Sequence, residues 1–130
     1  MELKHMSDQE LARRMVNYID RLIQLHNNIN RYLNSHDTSV ERRVIIQNEY
    51  SGLKRAIRED YEYISNSKNA GESSLYESFF IPSIEECMAK GLQAPTNSSV
   101  NASMSSSVYD ARYYMTYYHS RDDWERIANS

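Results

Sequence analysis

Apolar and aromatic residues fall at Leu11, Met15, Tyr18, Leu22, Leu25, Ile29 and Tyr32, in alternating steps of four and three that never break. That 3.5-residue spacing puts all seven on one stripe of a helix, and it requires a partner helix lying nearly parallel or antiparallel to it. Ile19 and Leu33 widen the stripe on one flank. Ser7 and Glu10 form a capping box just ahead of it, so the helix is expected over about 8–34, ~40 Å long.

A second box, Thr38 and Glu41, follows the short polar link Asn34-Ser35-His36-Asp37. So short a link folds the next helix straight back, over about 39–65. Its stripe comprises Val40, Val44, Ile46, Tyr50, Leu53, Ile57, Tyr61 and Ile64, and it drifts, with Asp60 interrupting the heptad line. The two helices make a coiled-coil-like antiparallel hairpin. A lone hairpin leaves one side of each helix uncovered, so more chain or another molecule must cover it.

After the loop Asn66–Ser73, boxes at Ser74/Glu77 and Ser83/Glu86 open two short segments. The first, over about 75–81, is stopped by Pro82; the second, over about 84–90, ends at Gly91 in a C′ position, with Leu92 as its apolar contact. They are expected to cover the hairpin. The tract Gln93–Ser107 has no charge, no aromatic side chain and many Ser and Asn residues. It is read as a flexible linker. The chain resumes as a helical arm over about 108–128, split at Ser120, with Ser107 and Ser120 as caps and Asp123 as the box partner of Ser120. The fold class is therefore all-α, in three stretches: a hairpin with short covering helices over about 1–92, a linker over about 93–107, and an aromatic-rich C-terminal arm over about 108–130.

Composition narrows the function classes. The chain has 130 residues, 15 Lys and Arg against 18 Asp and Glu, and a net charge of −3, a balance that does not favour general nucleic-acid or anionic-membrane affinity. One cysteine allows no internal disulfide and no Cys-based zinc site. The first residues lack the apolar run of a secretion signal, and no stretch approaches ~18 apolar residues, so a cytoplasmic location without membrane association is expected. No Gly-rich phosphate loop, no Gly-x-Ser-x-Gly and no His-Glu-x-x-His occurs. Adjacent carboxylates such as Glu59-Asp60 and Asp122-Asp123 diverge on a helix. Cys87 follows Glu85-Glu86, whose charges disfavour a thiolate. His26 edges the first stripe, and His119 with Asp122 or Asp123 is too sparse a set for a metal. No enzyme, cofactor or metal is expected.

The feature that asks for a function is Tyr109–Trp124, which holds five of the eleven tyrosines and the lone tryptophan. On a helix Tyr113, Tyr117 and Trp124 share one face with Ile127, while Tyr114 and Tyr118 form a second row with Arg121 one turn on. Rings then wrap more than half the helix: one face packs on the hairpin, and the other stays wet or meets something. Tyr, Trp and Arg dominate binding hot spots. The expectation is a non-enzymatic protein–protein interaction module of adaptor, chaperone or inhibitor type. It self-associates as a homo-oligomer and also binds another protein. Its anchors are Tyr113, Tyr114, Tyr117, Tyr118, Arg121 and Trp124, with Phe79 and Phe80 as a second patch. The alternative is nucleic-acid or nucleotide binding by Tyr/Arg stacking, with Arg42, Arg43, Lys54, Arg55 and Arg58 on the second helix tracking phosphates. Against it, residues 1–63 hold as many acidic as basic side chains.

Overall fold

A computed structural model describes residues 6–34, 39–66, 75–92 and 101–130. Among these, every element is helical, and the fold is all-α: α1 is Asp8–Asn34, α2 Val40–Ser65, α3 Ile81–Glu86, α4 Asn101–Met115 and α5 Arg121–Ala128. Wide π-helical turns, Tyr76–Phe80 and Cys87–Gly91, flank α3 on both sides. The caps read at Thr38 and Ser74, and linker residues 93–100, lie outside the described residues.

α1 is the central rod. Ser7 Oγ accepts from the Glu10 N–H at 3.2 Å and starts it where the capping box places it. The whole heptad stripe from Leu11 to Ile29 is buried, and Tyr32 is half-buried. α2 folds back along this stripe in antiparallel sense. The Arg14 guanidinium donates to Asp60 Oδ2 at 2.7 Å near one end, and Asn28 donates to Glu49 at 3.4 Å further along. The hairpin buries Ile46, Tyr50, Leu53, Ile57 and Ile64 of α2. The N-cap of α2 is Ser39, whose hydroxyl accepts from the Arg42 N–H at 3.3 Å.

The second flank of α1, with Ala12 and Ile19 wholly buried and Val16 and Ile23 half-buried, is covered by α4 and α5. These two run end to end, antiparallel to α1. Going up their chain, Ser105 donates to Asn30 at 3.1 Å, the Tyr109 ring lies 6.1 Å from that of His26, Arg121 binds Asp20, and Ser130 meets Gln9 at 3.5 Å. The C-terminal segment is thus a broken third rod of the bundle, and α1 packs more extensively against it than against α2.

α4 begins at Asn101, so the Ser/Asn tract is helical from there and Ser107 lies inside the helix instead of capping it. The reason is an apolar line hidden in the tract. Met104, Val108, Ala111 and Met115, spaced four, three and four, are all buried against α1 and the run around α3.

The helical run from Tyr76 to Gly91 passes through Pro82 without stopping. A proline in a regular helix clashes with the carbonyl four residues back, and a wider turn relieves that clash. Here the Phe80 N–H reaches back five residues to Leu75 O at 2.9 Å, two residues before the proline. Asp8 Oδ1 accepts the Leu75 N–H at 3.1 Å and pins the start of the run to α1. Ser83, read as a cap, is instead buried within α3. Gly91 has no positive φ and is not the left-handed cap that its position suggests. It is glycine because α4 lies against it: a Cβ there would sit 2.5 Å from Ala111 Cα.

Candidate functional site

The rings divide between core and surface. α4 is two-faced: its line of Met104, Val108, Ala111 and Met115 faces inward, and Tyr109 and Tyr113 project outward at 57 and 51% exposure, with Tyr117 just past its end continuing that row at 61%. The chain leaves helical geometry after Met115. There Thr116 folds its hydroxyl back onto Arg112 O at 2.9 Å, and α5 restarts at a complete capping box between Ser120 and Asp123, as read from the sequence. The turn between them lets Trp124 point inward.

Trp124, expected as a surface anchor, is wholly buried, and so is Phe80. The indole N–H donates to Met115 O at 3.2 Å, so one of the carbonyls left open at the end of α4 finds its partner in the core. Arg121 is also committed within the fold. Its guanidinium grips Asp20 in two bonds, Nε to Oδ1 at 2.8 Å and Nη2 to Oδ2 at 3.0 Å, and it also pairs with Glu125. The hydrogen bond from Arg121 holds the Asp20 carboxyl below its ordinary range, and Asp20 raises the guanidinium in turn. This pair joins α5 to α1.

The remaining anchors converge. Tyr113 meets Tyr114 at 5.2 Å between ring centroids and Tyr117 at 5.9 Å, and Tyr117 meets Tyr118 at 4.9 Å, all near right angles. Phe79, just ahead of α3, comes to within 5.4 Å of Tyr118. Between these rings and α3 lies an open groove of about 320 Å³, whose opposite wall is Ser83, Glu86 and Lys90. Ser83 Oγ is buried and has no hydrogen-bond partner among the described residues. Lys90 Nζ pairs with Glu86 at 3.0 Å and stands 5.8 Å from the Tyr114 ring centroid. The hydrogen bond that Lys90 donates to the Glu86 carboxylate, with smaller help from Tyr114, raises the lysine pKa.

The wall residues Ser83, Glu86 and Lys90, and Tyr109 in the outward row, do not stand out as site residues in the sequence; there Ser83 and Glu86 read as a capping box. Glu86 and Lys90 stand four apart, an ordinary helical ion pair. Only the packing of α3 on α4 turns them into a wall.

His119 sits behind the rings, 4.5 Å from Phe79 and 4.8 Å from Trp124 between ring centroids. Burial lowers its pKa from the ordinary 6.5. Between the lowered value and 6.5 the unfolded chain takes up a proton that the folded chain does not, so stability falls as pH drops through that window. Thermal melts from pH 7 down to pH 5 should show a declining midpoint. His119→Phe should flatten this part of the profile. The depressed Asp20 acts only at lower pH, below its ordinary 3.8.

Other candidates offer less chemistry. Cys87 is buried and its thiol is pushed up to about 12 by desolvation, which leaves no thiolate for nucleophilic attack. Among the described residues no three His, Cys, Asp or Glu side chains gather into a metal site, and no helix is long and apolar enough to cross a membrane. On α2, Arg42, Arg55 and Arg58 are exposed while Arg43 and Lys54 are half-buried. Arg42 shares its groove with Glu41 and Glu49, so anionic and cationic groups alternate there. No protein-family model, curated protein or solved structure matches the chain.

Proposed function

We propose that this chain is a non-enzymatic protein–protein interaction module, of adaptor, chaperone or inhibitor type, that docks partners through the tyrosine face of α4. The carrying observation is that Tyr113, Tyr117 and Tyr118 stay exposed while Trp124, Met115 and Phe80 complete the core without them. Rings of this kind give large contact area at low entropic cost, which suits them to recognition. The same reading covers self-association, since rings that dock a partner also meet those of a second copy when no partner is present.

The double substitution Tyr113→Ser/Tyr117→Ser tests this. Each ring is more than half exposed, so helicity and melting temperature should change little, by less than ~1 kcal/mol. Light scattering over a concentration series should show the wild-type mass rising above one chain and the variant remaining at one. A wild type that holds single-chain mass throughout, or a double variant that unfolds, would remove the proposal.

A further inference from the structure

We propose that the groove between α3 and the tyrosine face of α4 receives an arginine or lysine side chain of a partner protein, with its charge paired to Glu86 and its stem against the rings of Tyr114 and Tyr117. The inference rests on the interaction reading above and specifies what that surface recognises.

Four observations support it. The groove already holds a cation: Lys90 Nζ lies 5.8 Å from the Tyr114 ring centroid, within the range at which ring quadrupoles attract positive charge. Neighbouring rings stand at 67 to 85° to one another, so faces and edges enclose the space as walls instead of stacking shut. Glu86 supplies the single carboxylate among the described groove-lining residues. Ser83 adds a wholly buried hydroxyl that lines the same groove and lacks a hydrogen-bond partner among the described residues, as an acceptor for a further N–H would.

The resident lysine does not close the site. Lys90 and Glu86 form an ion pair one turn apart, with side chains 59% and 43% exposed. The Glu86 Oε2 that meets the ammonium is itself covered, but the ammonium is exposed and makes one contact, so an incoming guanidinium can displace it from the carboxylate. A guanidinium also has donors for both Glu86 and Ser83 and a flat face for a ring, which makes arginine the better fit of the two cations. The net charge of −3 favours the approach of a basic partner.

The test titrates the full chain with three capped tripeptides, Gly-Arg-Gly, Gly-Lys-Gly and Gly-Glu-Gly, and follows the tyrosine ring protons by NMR. The arginine peptide should give saturable shifts at Tyr113, Tyr114 and Tyr117, the lysine peptide weaker ones, and the glutamate peptide none. Glu86→Gln should weaken arginine binding by about ten-fold. Lys90→Gln, on the exposed rim, should strengthen it severalfold because the competing cation is gone. The opposite signs keep the test decisive even if Glu86→Gln disturbs α3. Shifts with the glutamate peptide, weaker arginine binding in Lys90→Gln, or no shift with any peptide would overturn the inference. If arginine binding is absent but tyrosine-dependent association persists, the inference falls and the interaction reading stands.

Discussion

Trp124→Ala should lower stability by about 3–5 kcal/mol and drop the melting midpoint by more than about 10 °C. The indole is wholly buried at the point where α4, α5 and α1 meet. Its removal opens a cavity, strips the T-shaped contact to His119, and takes the N–H donor away from Met115 O. Trp124→Phe separates these effects. It keeps most of the volume and the ring contact and loses mainly the hydrogen bond, for a smaller loss of about 1–2 kcal/mol. Circular-dichroism melts of both variants beside Tyr113→Ser/Tyr117→Ser make the comparison direct. If Trp124→Ala melts like wild type, the indole is not the keystone of the α4–α5 turn, and the division of rings between core and surface is wrong.

Gly91→Ala should be nearly as damaging, at about 2–4 kcal/mol, although it adds only one methyl group. The new Cβ would lie 2.5 Å from Ala111 Cα and 2.6 Å from Ala111 N, both backbone atoms that no side-chain rotation can move. α4 must lift off the run around α3, which also opens the tyrosine groove. Gly52→Ala is the internal control. Gly52 is exposed in the middle of α2, and a Cβ added there would meet nothing within 4 Å, so alanine should stabilise it by about 0.5–1 kcal/mol through helix propensity. Chemical denaturation of the two variants should move their midpoints in opposite directions.

Much of this architecture was legible because α1 and α2 state their pairing in their own periodicity. The unbroken heptad line of α1 named the residues that α2 covers, and Ser7 and Ser120 announced their helices by local hydrogen bonding that needs no tertiary context. α4 was harder. Its four buried residues sit among serines and tyrosines, and the large rings of the outward tyrosines draw the eye to the wrong face, so the inward line of Met104, Val108, Ala111 and Met115 was masked. That line also decides where the C-terminal rings go. With α4 packed by its small apolar face, Tyr113 and Tyr117 are turned out, while the bend after Met115 rotates Trp124 in. A single continuous helical wheel puts all three on one side. Val40 and Val44 failed the other way: counted in the α2 stripe, they are exposed, because α4 and α5 cover the far flank of α1 and leave the first turns of α2 uncovered. Gly91 and Ser83 carried cap-like signals whose real meaning depends on a helix that contacts them only in the folded chain.

The arrangement of rods around α1 also has a consequence for biosynthesis. On the ribosome α1 emerges well before α4 and α5, so Asp20 waits for Arg121 and Asn30 for Ser105. The flank of α1 that carries Ala12 and Ile19 therefore stays wet until α4 and α5 are made, which invites holdase binding to the nascent chain. Long-range closure of this kind slows folding relative to a bundle built from adjacent hairpins.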